Sequence, residues 1–135
     1  MKVYLYVLNT LADWEIAYLT AELVSGRYFR SGQEKVEVVK LGRTMESVVT
    51  MGGISIRPDV SIRDVTLAAD DLLVLPGADL WLTNPDPEIL ELAKDRTEKG
   101  LRVAAICGAT IALARIGALD AVRHTSNDKD FLKAV

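Results

Sequence analysis

Residues 101–114 constrain the fold more than any other stretch of this chain. The apolar run Leu101–Ile106, interrupted only by Arg102, leads directly into Cys107. Gly108, Ala109 and Thr110 follow, and then the helical pattern Ile111-Ala112-Leu113-Ala114. That order reads as a buried strand, a sharp turn and a helix. Small residues suit the turn, because a bulky side chain after the cysteine would collide with the returning helix. The arrangement has the form of a nucleophile elbow with Cys in place of Ser. It also sets a sulfur at a helix N-terminus, where the backbone dipole favours a thiolate.

The rest of the chain repeats the same alternation. Lys2–Leu8 is rich in β-branched and aromatic residues and predicts the first strand. After a loop over Asn9–Ala12, Asp13 is placed to cap a helix from Trp14 to about Phe29, with Ile16, Leu19, Leu23 and Val24 on one face. Ser31-Gly32 breaks that pattern, and Lys35–Leu41 predicts the second strand. Val48–Thr50 and Ile54–Ile56 flank Gly52-Gly53 and predict a hairpin. Arg57-Pro58-Asp59 predicts a turn. Asp71–Leu75 predicts a buried strand ending in Pro76-Gly77-Ala78. Asp86 caps a second long helix with Pro87 at its first position, and the helix runs to Lys99 and stops at Gly100. The helix after the elbow ends near Gly117. Arg123-His124-Thr125 predicts a short strand, and Asn127 or Asp128 starts a last helix towards Val135. Strands alternating with helices predict a mostly parallel sheet with helices on both faces. Ligands of such sheets sit at the carboxyl ends of the strands.

Composition narrows the classes. The chain has 135 residues, half of them hydrophobic, which suits one domain over residues 1–135. Its net charge is −3 and no basic patch is visible, which argues against a nucleic-acid partner. One cysteine cannot form an internal disulfide, so a reducing, cytoplasmic setting is expected. No apolar run approaches the roughly 20 residues that span a bilayer. The first residues are too short and too β-like for a signal peptide.

Four positions could carry chemistry. Cys107 is either a small buried hydrophobe or a nucleophile, and the elbow favours the second. Glu15 would be favoured by the helix dipole without any further role, but it lies just past the first strand, near where Cys107 must emerge. A protonated carboxyl there could donate a hydrogen bond to the thiolate. His124 is the only histidine, and a nucleophilic Cys is commonly served by a His that the fold brings near. Asp120 and Asp128 could each orient it, and nothing selects between them. Gly77 ends a strand in a plain turn, yet its N–H could join that of Gly108 in an oxyanion hole. Gly52-Gly53 is a turn signal rather than a phosphate loop, and no His–Cys spacing suits a metal. Trp14, Trp81 and Tyr18 read as core or interface.

The elbow Ala104–Thr110, the strand end Leu73–Gly77, Glu15 at the helix start and the segment Gly53–Asp59 together resemble the DJ-1/PfpI (ThiJ) family of the class I glutamine amidotransferase-like superfamily. The resemblance runs from Met1 to about Phe131. It implies a flavodoxin-like three-layer α/β sandwich with a mostly parallel sheet. It implies Cys107 as nucleophile or redox centre, Glu15 as its carboxyl partner, His124 as the histidine after the elbow helix, and Gly77 and Gly108 as backbone donors. A homodimer or higher homo-oligomer is the family habit. Two departures stand out. Gly108 occupies the place where PfpI-type proteases carry a histidine, and Ala78 replaces the second glycine of the usual Pro-Gly-Gly turn. Family members also continue beyond the His124 region, so the chain reads as C-terminally truncated. A missing part would leave apolar surface exposed.

The activity expected is that of a cysteine-dependent enzyme whose thiolate attacks a carbonyl. The substrate would be a small molecule or peptide, in an amidase- or peptidase-like hydrolysis or in the glyoxalase- or deglycase-like processing of a 2-oxoaldehyde. No cofactor, metal or membrane is called for. The alternative is a redox-responsive, stress-protective protein whose cysteine is oxidised rather than catalytic.

Overall fold

The first strand, β1 (Lys2–Tyr6), is buried on both faces, with Val3 through Leu8 each at most 7% exposed. A strand covered on both sides loses polar alternation and reads as a continuous apolar run. The structure, a computed structural model, describes residues 1–128 and 130–134. In it β1 lies at the centre of a five-stranded sheet in which every pairing is parallel.

The elements follow in chain order. Helix α1 (Asp13–Ser25) leads to β2 (Glu37–Gly42), then to the antiparallel hairpin of β3 (Val48–Val49) and β4 (Ser55–Ile56), and to β5 (Val60–Ser61). Strand β6 (Leu72–Leu75), the short α2 (Leu80–Thr83), α3 (Pro87–Glu98), β7 (Val103–Ala105) and α4 (Thr110–Arg115) complete it. The sheet order is β5-β2-β1-β6-β7. The chain therefore leaves β1 towards one edge through α1 and leaves β6 towards the other through α3. Right-handed crossovers in opposite directions put these two helices on opposite faces. The side chains agree. Leu5 and Val7 share a hollow with Ile16 and Val24 of α1. Tyr6, pointing the other way, packs on Trp81 with ring centroids 5.9 Å apart and donates its hydroxyl to Asp86 at 2.9 Å. Burial and the facing Asp86 carboxylate hold the Tyr6 phenol protonated far above its usual range. The result is the three-layer α/β sandwich expected.

Several local expectations need correction. Asp13 is not the cap of α1: the cap position is Ala12, with no side-chain hydrogen bond. The Asp13 carboxylate instead accepts the Gly52 N–H at 2.7 Å, tying α1 to the hairpin. The Thr50 hydroxyl and the Gly52 N–H hold that carboxyl below its ordinary range. Helix α1 stops at Ser25 rather than Phe29, because Gly26 turns left-handed (φ 60°) and its N–H closes on Glu22 O at 2.7 Å. Residues Arg123–Thr125 form no strand. Their loop is fastened by side-chain bonds of Ser126 and Asn127 instead of a sheet partner. The last helix is reduced to a 3-10 turn over Phe131–Ala134, and its expected end at Val135 lies outside the described residues. Strand β5 and helix α2 escaped the sequence reading because two and four residues are too short to show a period. Asp86 and Pro87 open α3 as anticipated, with Asp86 Oδ1 accepting from Glu88 N at 3.0 Å.

Trp81 is fully buried, and its indole N–H donates to Pro76 O at 2.7 Å. It therefore ties α2, within the buried core, to the turn after β6. Trp81→Ala is expected to cost about 3–5 kcal/mol in urea unfolding. A loss below 1 kcal/mol would show that the turn after β6 is held without it.

Candidate active site

The loop after β1 and the turn after β6 are fastened together along their length. Leu11 and Ala78 form an isolated antiparallel bridge, and the Ala12 N–H donates to Gly77 O at 2.9 Å. Thr10 adopts a left-handed conformation (φ 63°), costly for a β-branched residue. In return its Oγ1 accepts the N–H groups of Asp79 and Leu80 at 3.1 and 3.3 Å. The hairpin docks on the same loop: Thr10 N–H donates to Val49 O, and Met51 N–H to Leu11 O, both at 2.9 Å.

This junction fixes Glu15. Its half-buried carboxylate accepts the Gly77 N–H at 2.6 Å, across 62 residues of sequence. A Cβ at position 77 would lie 2.6 Å from Glu15 Oε1, so any other residue there has to displace the carboxylate. The structure thus brings Glu15 and Gly77 together and commits the Gly77 N–H to the carboxylate. Gly108 differs. It is buried beside Ala78, and its N–H has no acceptor among the described residues.

Cys107 follows β7, the strand beside β6, so it emerges on the same carboxyl edge. The Ile106 N–H bonds to Leu75 O at 2.9 Å, which continues the sheet to the brink of the turn. Cys107 itself is left-handed (φ 52°) and exposed, and it opens a 3-10 turn that merges into α4. Non-glycine residues held in this region store strain of about 1–3 kcal/mol and concentrate at functional sites. Thr110 Oγ1 donates to Cys107 O at 2.7 Å, so Ser126 Oγ, 2.7 Å from the same oxygen, must be a donor to it.

His124 lies on that downstream loop, exposed, with Nδ1 3.0 Å from its own loop's Val122 O. No hydrogen bond joins it to Cys107 among the described residues. The side chain on the sulfur is Asn127, whose Nδ2 donates to Cys107 Sγ at 3.3 Å. Sequence reasoning gave Asn127 only as a helix start. An uncharged amide in a loop carries no pattern that marks it. A cavity of about 700 Å³ lies elsewhere on the carboxyl edge, between Tyr6, Arg43, Arg63 and Asp86, and none of Cys107, Glu15, Gly77 or His124 lines it. Among the described residues no group of three His, Cys, Asp or Glu side chains could hold a metal ion, and no helix is long and apolar enough to cross a membrane.

The order of these parts has counterparts. The family model for "DJ-1/PfpI family" matches residues 1–133. The chain belongs to the DJ-1/PfpI family. A curated relative from Bacillus subtilis (strain 168), named uncharacterized protease YoaZ, is 46% identical over 134 residues, covering 99% of this chain and 64% of the relative. A second from the same organism, uncharacterized protease YdeA, is 32% identical over 126 residues, covering 93% and 59%. The chain therefore spans under two thirds of the length of both. The crystal structure of a thiJ/pfpI family protein from Bacillus anthracis superposes with a TM-score of 0.89 at 46% identity, over 98% of this chain and 62% of that one. A DJ-1 superfamily protein from Agrobacterium tumefaciens follows at 0.83 and 30%, over 99% and 68%.

Gly77→Ala should destabilise the fold by about 1–3 kcal/mol through overpacking against Glu15. In the Glu15→Ala background the same change should cost markedly less, because the obstructing carboxylate is gone. Additive losses in a thermal-unfolding cycle would show that the two residues do not meet.

Proposed function

We propose that this chain is a cysteine-dependent hydrolase of the amidase or peptidase type, with Cys107 as nucleophile. One observation carries the reading: a non-glycine residue, held at φ 52°, presents an exposed thiol at the turn between β7 and α4. The protease names of the two Bacillus subtilis relatives support the substrate class.

In this reading Sγ, as thiolate, attacks the carbonyl carbon of the substrate, and the π electrons move onto oxygen. The tetrahedral adduct collapses, the C–N bond breaks, and the amine leaves with a proton. Water then cleaves the thioester and returns the thiol. Glu15 and His124 are the groups proposed for the proton steps. His124 donates Nδ1–H to the Val122 carbonyl, which leaves Nε2 as the nitrogen that can take a proton. A 2-oxoaldehyde would meet the same attack at its aldehyde carbon; the hemithioacetal then passes its C1 proton to C2 through an enediol, and water cleaves the resulting 2-hydroxy thioester to the 2-hydroxy acid and the free thiol.

The redox-responsive reading draws on a separate observation: the side chain on Sγ is an amide, which does not act as a base. Here Cys107 would be oxidised by peroxide. Cys107→Ser and His124→Ala separate the two readings in an assay of amide or ester hydrolysis. The hydrolase loses about 100-fold or more in kcat in both variants. No hydrolysis by the wild type, together with peroxide oxidation of Cys107 in the intact mass, supports the redox role, whereas loss in Cys107→Ser alone keeps the hydrolase and removes His124 from it.

Homo-oligomer formation is proposed as well. Trp14, Tyr18 and Ile54, at 65, 89 and 58% exposure, put large apolar surface on α1 and on the hairpin beside it. Light scattering should report more than one chain per particle, with Tyr18→Glu reducing it to one. An unchanged mass would move the interface elsewhere. A single thiol supports a reducing, cytoplasmic setting.

A further inference from the structure

We infer that the Asn127 side-chain amide, with the Gly108 N–H, forms the oxyanion hole of this site. The inference rests on the reading of Cys107 as a carbonyl-directed nucleophile. Two donors are needed near the oxygen that becomes negative, and the strand-end glycine does not supply one. The Gly77 N–H is spent on Glu15 at 2.6 Å. Gly108 keeps an N–H with no acceptor among the described residues and lies next to the nucleophile in the chain. The second donor that the structure offers is Asn127 Nδ2, 3.3 Å from Cys107 Sγ.

The chemistry fits that distance. In the resting site the amide donates to the sulfur. On attack the S–C bond forms, the sulfur loses its negative charge, and the charge appears on the former carbonyl oxygen. That oxygen is bonded to the carbon the sulfur has just joined, so it lies within about 3 Å of the sulfur. A donor already resting on Sγ is within reach of that oxygen, so little reorganisation is needed when the charge appears. The amide is also held in place. Ser126, its chain neighbour, donates to Thr110 Oγ1, and Thr110 in turn donates to Cys107 O. The segment carrying Asn127 is thereby pinned to the elbow it serves. An amide is suited to this task and not to proton transfer, since it offers two N–H donors and no basic nitrogen.

Two reactions of the same sulfur separate an oxyanion donor from a group that merely holds the thiol. Iodoacetamide alkylates Sγ by displacing iodide and creates no oxyanion. p-Nitrophenyl acetate acylates Sγ through a tetrahedral oxyanion. Both are followed by intact mass across a pH series, in the wild type, Asn127→Ala and the isosteric Asn127→Asp. In both variants acetyl transfer should fall by about 100-fold or more while alkylation changes by only a few-fold. A parallel fall in both reactions, compared at a pH where each variant's thiol is ionised, would overturn the proposal and leave Asn127 as a thiol-holding residue. Acetylation that persists in both variants would overturn it too. Wild-type protein that alkylates at Cys107 but takes no acetyl group would defeat the nucleophile reading itself, an outcome distinct from failure of the Asn127 assignment.

Discussion

The hydrogen bond from the Gly77 N–H to Glu15 is the constraint on which the site depends. It ties the first turn of α1 to the end of β6, on the carboxyl edge where the sheet reverses its direction of winding. A short bond between a backbone donor and a carboxylate is worth more than a neutral one, and a half-buried setting strengthens it. It is also exclusive. Once Glu15 lies over Gly77, a side chain at 77 would have to push the carboxylate aside, and the glycine N–H is committed to it. The bridge of Leu11 with Ala78 and the Thr10 acceptor bonds make the same junction rigid from the other end. Cys107 follows β7, the neighbour of β6, and so emerges on the same edge as this junction.

The fold was legible because its signals are periodic. β1 announced itself as an unbroken apolar run, and α3 through Asp86, Pro87 and Gly100. The elbow showed in the sequence because three physical demands coincide within a few residues: a buried strand, a small-residue turn and a helix start. Elements failed where the period had no room to show, as in β5 and α2. They also failed where a local signal was read without its neighbour. Asp13 has the chemistry of a helix cap, but the hairpin claims its carboxylate. Arg123–Thr125 falls where the alternation of helix and strand calls for a strand, but a strand needs a partner, and the loop is bonded to the elbow by side chains instead.

The site was legible residue by residue and not in its wiring. Cys107, Glu15 and Gly77 could each be singled out from position and type. That the glycine donates to the acid could not, since 62 residues separate them and the contact exists only after the two loops close. Asn127 was hidden for a different reason. Charge, sulfur and glycine stand out in a sequence, whereas an amide acquires meaning only from what it touches.

The left-handed backbone at Cys107 has a consequence for how this protein can change. Glycine is the residue that adopts φ 52° without cost, so replacing Cys107 by glycine relieves the turn. The variant without a thiol is then the more comfortable one. Stability alone would let this position drift towards glycine, and under the proposed function it is use of the thiol that opposes that drift.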